Sequence, residues 1–146
     1  MKKPAPAARL FAVQLDISWE DKAANFDKFR SALAANPPPR GSLIALPEMF
    51  ATGFSMNLKT TRKGPDLEDE AFLASLAREY GSVVVGGVVS QASEGIARNE
   101  AVVFSPEGAT LARYAKIHPF SLGGETRVHE AGSEVVLFRW EGFIVA

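Results

Sequence analysis

The sequence predicts an α/β or layered α+β domain, and three observations carry that expectation. Short apolar runs of strand length alternate with two stretches whose apolar residues recur every three or four positions. Their order is strand, helix, strand, helix, and then strands to the end. The 146 residues, 47% hydrophobic and 23% charged, have the size and composition of one globular domain.

Residues 1–8 read as a frayed leader, and the domain is expected over 9–146. Residues 10–15 are a mostly apolar run ending at Asp16, the pattern of a buried strand. Ser18 offers an N-cap, and Glu20 and Asp21 place negative charge where a helix N-terminus favours it. From Asp21 to Asn36, the residues Ala23, Phe26, Phe29, Ala32 and Leu33 form one apolar stripe, and Pro37-Pro38-Pro39 stops the helix. Residues 43–46 are a second short strand, halted by Pro47. The weak periodicity of 49–65 predicts a loop with a helical turn.

A second amphipathic helix over 67–80 carries Leu67, Phe72, Leu73, Leu76 and Tyr80 on its apolar side. Strands follow over 83–90, 97–105, 110–114 and 135–140, and a fifth begins at Phe143. Pro106-Glu107-Gly108 marks a hairpin between the second and third of these. The runs 43–46 and 83–89 are apolar on both sides and require cover on both faces. The last residues, Phe143 to Ala146, are apolar and in mid-strand, whereas termini are ordinarily polar, so the chain reads as cut short.

Charge and composition exclude several classes. With 16 basic against 17 acidic side chains, the net charge of -1 provides no electrostatic footprint for nucleic acid. No run approaches the roughly 20 apolar residues of a membrane span, and the proline-rich segment after Lys3 does not continue as a signal peptide. A cytoplasmic protein without a membrane partner is expected. The absence of cysteine excludes disulfides, thiolate metal sites and a cysteine nucleophile within these residues. Two histidines without ligand spacing predict no metal, and no glycine-rich phosphate loop occurs, so no cofactor is expected.

Glu48 stands out by position. It follows the 43–46 strand at the carboxyl end, where ligand sites of open α/β sheets form. Its neighbours Leu46, Pro47, Met49 and Phe50 are apolar, and such surroundings tune a carboxylate for proton transfer. The ordinary alternative is a surface glutamate opening a loop. Lys116 and His118 alternate with Ala115 and Ile117 and so share one face beyond a strand, where a lysine can stabilise an oxyanion. Two exposed basic residues would show the same pattern. Glu125 lies in the loop Ser121-Leu122-Gly123-Gly124-Glu125, whose glycines suit a pocket lining or a plain turn. Gly86-Gly87 inside a strand marks a bulge or a close backbone approach.

Together these segments resemble the carbon–nitrogen hydrolase (nitrilase) superfamily. Leu46-Pro47-Glu48-Met49-Phe50, continuing through Thr52-Gly53-Phe54-Ser55-Met56, is similar to the family's catalytic-glutamate segment. Arg98-Asn99 leading into Val102-Val103-Phe104 and Pro106-Glu107-Gly108 resembles its hairpin. Tyr114-Ala115-Lys116-Ile117-His118-Pro119-Phe120 resembles its catalytic-lysine segment. Val13-Gln14 and the stretch from Glu125 to Gly132 also fit. Methionine after the glutamate, the Thr-Gly-Phe run and Trp140-Glu141-Gly142 are most similar to the omega-amidase branch.

The resemblance implies an α-β-β-α sandwich, here only its first half, and a Glu-Lys-Cys mechanism hydrolysing a small (ω-)amide to acid and ammonia. By position, Glu48 would be the general base, Lys116 the oxyanion cation and Glu125 the second glutamate that orients lysine and substrate. A homo-oligomer is implied for the full-length form. The family's cysteine follows the strand that begins at Phe143, so this chain as it stands is expected to be unable to form the thioester. Two other readings remain: an inactive half-domain that binds or assembles with a partner, and an unrelated α/β domain in which Glu48 and Lys116 are only surface charges.

Overall fold

The computed structural model describes residues 8–62 and 67–146; the expected leader, apart from its last residue, lies outside them. The elements are β1 (Leu10–Ala12), α1 (Lys22–Ala35), β2 (Leu43–Ala45), a single helical turn α2 (Leu58–Thr61) and α3 (Glu68–Tyr80). Then come β3 (Val83–Ser93), β4 (Ile96–Phe104), β5 (Thr110–Ala115), two 3₁₀ turns (Ser121–Gly123 and Glu125–Arg127), β6 (Phe138–Trp140) and β7 (Phe143–Val145). Every helix and strand expected from the sequence forms, but the 10–15 run gives only the short β1, which is not the buried strand expected, with Leu10 exposed. β1, β2 and β3 are parallel neighbours, joined by crossovers through α1 and through α2–α3. β4 and β5 then add antiparallel, giving a five-stranded sheet in chain order.

Alternation along the strands decides what each face holds. Even-numbered residues of β3 and β4, among them Val84, Val88, Val102 and Phe104, pack against Phe29 and Leu33 of α1 and Phe72, Leu73 and Leu76 of α3. Phe26 and Phe72 stack at 4.2 Å between the two helices. Leu43, Val83 and Val103 face the other way and meet Phe138 and Trp140 of the β6–β7 hairpin. That hairpin covers the second face in part, and an apolar cleft remains beside it, lined by Val85, Ala101, Ala112, Tyr114 and Phe138. Both faces therefore require the cover that the doubly apolar strands imply. No helix among the described residues is long and apolar enough to cross a membrane.

Four local expectations are corrected. Asp21, not Ser18, caps α1, its Oδ1 accepting from the Ala24 N–H at 3.0 Å. Ser18 instead donates its own N–H to Asn25 Oδ1, and Asn25 Nδ2 donates to the Ser18 and Ala51 carbonyls. Asn25 is therefore buried while Ala23 of the expected stripe is exposed, because the amide serves backbone groups of two loops. Leu67 precedes α3 with φ of 62° and is 66% exposed, off the apolar face. The 135–140 strand begins only at Phe138, with Val135 and Leu137 exposed. Gly86-Gly87 is not a bulge; the register of β3 shifts at Gln91/Ser93. It is a close approach, described next.

Candidate active site

Three segments converge beyond the end of β2. The loop carrying Glu48 lies directly on β3: the Gly87 N–H donates to the Pro47 carbonyl at 3.2 Å, and the Phe50 N–H donates to the Gly87 carbonyl at 3.3 Å. A Cβ on Gly87 would stand 2.6 Å from both Glu48 Cα and Met49 N, so only glycine admits the loop so closely. Met49, 1% exposed, takes a φ of 46°, a left-handed conformation uncommon for such a side chain.

Lys116 follows β5 directly. Its N–H donates to the Asn99 carbonyl of β4 at 2.9 Å, which continues the ladder and sets both side chains on the face of Ala101 and Tyr114. Glu125 opens the second 3₁₀ turn after Gly124, whose φ is 78°. Its residue is 0% exposed.

The structure brings Glu48, Lys116 and Glu125 together. Lys116 Nζ donates to Glu48 Oε1 at 2.8 Å and to Glu125 Oε2 at 2.9 Å. The Phe120 N–H donates to Glu125 Oε2 at 2.5 Å. Asn99 Nδ2 donates to Glu48 Oε1 at 2.5 Å and to Glu125 Oε1 at 2.7 Å. The Lys116 ammonium also stands 5.0 Å from the Phe54 ring centre, and Phe54 neighbours Phe120 at 6.4 Å. Glu48 keeps 47% of its side chain exposed, beside an open cleft shared with Leu46, Val85, Gly87, Asn99, Tyr114 and Lys116. A partly exposed carboxylate next to a fixed ammonium can accept a proton and stabilise negative charge developing on an oxygen.

His118, grouped with Lys116 on sequence, is exposed. The buried histidine is His129, 3% exposed, whose N–H donates to the Glu125 carbonyl at 2.8 Å. Neither of its ring nitrogens has a hydrogen-bond partner among the described residues. Sequence reasoning passed over both Asn99 and His129 as site residues. Asn99 did leave a signal: it shares the strand face of Ala97, Ala101 and Val103, a polar residue in an inward row. His129 left none, because an irregular loop has no periodicity to interrupt.

The electrostatics follow from these contacts. Burial works to lower the Lys116 ammonium, yet Glu48 and Glu125 hold it above the ordinary lysine value. Burial works to raise the Glu125 carboxyl, and Asn99, the Phe120 N–H and Lys116 outweigh it and hold it below the ordinary value. His129 is pushed below its ordinary 6.5 by burial, with the Glu125 charge opposing. A depressed His129 contributes stability that is present above pH 6.5 and lost as pH falls toward its folded value. Glu125 does the same from 4.5 downward, while the raised Lys116 contributes below 10.5 and loses its contribution as pH rises through its folded value. Urea midpoints measured against pH are therefore expected to fall in two acid stages. His129→Phe is expected to remove the first, and parallel curves for the two proteins below pH 6.5 would refute that assignment.

The fold is that of a known class. Residues 9–141 match the carbon-nitrogen hydrolase family, to which the chain belongs. Among its relatives, the omega-amidase YafV of Yersinia enterocolitica is 31% identical over 92% of this chain and 51% of the relative. The human omega-amidase NIT2 is 29% identical over 78% of this chain and 41% of the relative. Among solved structures, XC1258 of Xanthomonas campestris, a CN-hydrolase superfamily protein with an arsenic adduct in its active site, superposes with a TM-score of 0.80 at 28% identity, over 94% of this chain and 51% of the other. The family expected from the motifs, and its omega-amidase branch, are thus supported. The chain spans about half the length of the curated relatives it matches.

Proposed function

We propose that the chain carries the base and the cation of an amidase of the omega-amidase kind, the nucleophilic thiol being supplied by a cysteine in a segment beyond Ala146. The single observation that carries this reading is Lys116 Nζ held between Glu48 Oε1 at 2.8 Å and Glu125 Oε2 at 2.9 Å, with Glu48 open to the cleft. In the proposed reaction Glu48 takes the thiol proton as sulfur attacks the amide carbon of a small ω-amide. A C–S bond forms, and the carbonyl oxygen becomes an oxyanion beside the Lys116 ammonium. The C–N bond then breaks, and the proton on Glu48 passes to the departing nitrogen, giving ammonia and a thioester. Water attacks the thioester, losing a proton to Glu48; the C–S bond breaks, the acid leaves, and the proton on Glu48 returns to the sulfur. Glu125 keeps Lys116 in place throughout.

A second reading is favoured by one observation, the absence of cysteine from all 146 residues: a half-domain without catalysis that binds a partner through its partly covered sheet face. The coding sequence past Ala146, together with an ammonia assay on a small ω-amide, separates the two. The amidase reading expects an open frame leading to a cysteine and ammonia release by the encoded protein. A stop codon after Ala146, or a cysteine-bearing protein that releases no ammonia from small amides, would overturn it.

A further inference from the structure

Two carboxylates flank one ammonium in this site, so one negative charge remains uncompensated by Lys116. Left to themselves the carboxylates would separate, and Glu48, nearly half exposed, is free to swing into water. Asn99 prevents this. It is 4% exposed, in mid-strand on β4 and paired with Val89 of β3. Its two amide hydrogens serve two different carboxylates, Glu48 Oε1 at 2.5 Å and Glu125 Oε1 at 2.7 Å. The orientation of the amide is dictated by chemistry, since an oxygen in that place would face two anions. Its main-chain carbonyl holds the third member, accepting from the Lys116 N–H at 2.9 Å. One residue therefore bonds to both carboxylates through its side chain and to Lys116 through its main chain.

The contacts also distinguish the two oxygens of Glu48. Asn99 Nδ2 and Lys116 Nζ both donate to Oε1. No hydrogen bond from Asn99 or Lys116 reaches Oε2, although each of these residues contacts a second oxygen on Glu125. We propose that Asn99 is the positioning residue of the site: its amide commits Glu48 Oε1 to Asn99 and Lys116 and turns Oε2 outward as the oxygen that exchanges the proton. This inference rests on the amidase reading for what Oε2 does, while the positioning itself is a property of the fold. Asn99 acts through Glu48 and Glu125 and need not touch substrate.

The test compares Asn99→Ala and Asn99→Ser in the protein carrying the cysteine segment, each alone and with Glu48→Gln. Asn99→Ala is expected to lower kcat by about 10²-fold with KM little changed, as for a misplaced catalytic group. Serine has one hydroxyl hydrogen, serves one carboxylate at a time, and is expected to fall between; it also serves if the alanine protein does not fold. In the Glu48→Gln background the same changes are expected to cost much less, because the part of their effect that passes through Glu48 is already lost. An equal fractional loss in both backgrounds, the mark of a merely structural role, would overturn the proposal. So would an unchanged kcat.

A second readout does not depend on turnover. Titration of the Lys116 ammonium, followed by NMR of labelled lysine, is expected to shift to lower pH in either Asn99 variant, as Glu48 leaves the ammonium. An unchanged titration in a folded variant would overturn the positioning role. A protein that releases no ammonia but shows this shift would refute the amidase reading alone.

Discussion

With Glu48 changed to Gln, the protein carrying the cysteine segment is expected to stay folded and to lose about 10³-fold in kcat, the size of a general base's contribution. Glutamine keeps an oxygen that accepts from Asn99 Nδ2 and Lys116 Nζ, so the hydrogen bonds at Oε1 survive the change. It cannot take a proton at neutral pH. The ion pair that disappears is half exposed on the Glu48 side, and its loss should cost at most about 1 kcal/mol of stability. Activity and stability thus separate in this variant. Steady-state ammonia release and a urea unfolding curve measure the two. Turnover within tenfold of the unaltered protein would remove Glu48 from the role of base.

Gly87→Ala is expected to have the largest effect on folding, about 3 kcal/mol, the upper part of the range for overpacked sites. The three atoms nearest its new methyl group, Glu48 Cα, Met49 N and Glu48 C at 2.6, 2.6 and 3.0 Å, all belong to backbone. No side-chain rotation relieves them, so the loop must lift from β3, stretching the bonds from Gly87 N to Pro47 O and from Phe50 N to Gly87 O. Glu48 lifts with it, and activity should fall beyond what unfolding explains. The neighbouring Gly86→Ala is the internal comparison. Its methyl group meets Leu73 side-chain carbons at 2.7 and 3.1 Å, which can shift, so a loss of about 1 kcal/mol is expected. Chemical denaturation of both variants checks the order, and a Gly86 variant less stable than the Gly87 variant would contradict the close-approach argument.

Much of the fold was legible in the residues. The 3.6-residue recurrence of Phe26, Phe29 and Leu33 and of Phe72, Leu73 and Leu76 predicted two helices, and the prolines after Asn36 predicted where the first ends. Strand runs bounded by Pro47 and by Pro106-Glu107-Gly108 predicted the sheet strands, because turn residues and apolar runs are local signals. In one of the failures a distant partner decided. Asn25 is buried because Ala51, 26 residues away, offers it a carbonyl, and Leu67 is exposed although its side chain fits an apolar stripe.

The site divides in the same way. Sequence alone determined the chemical types and their chain positions: a carboxylate at a strand's end, a lysine beyond another strand, a glutamate after two glycines, and no cysteine. Only the tertiary structure decided that Lys116 stands between Glu48, 68 residues away, and Glu125, that Asn99 joins both carboxylates, and that His129 is the buried histidine. The physical reason is range. Periodicity, caps and turns act over a few residues and are written in the local sequence. Ion pairs and shared hydrogen bonds act through space, so they exist only once the register of β4 and β5 has set Asn99 and Lys116 on one face, with the loop of Glu48 and the turn of Glu125 brought against them.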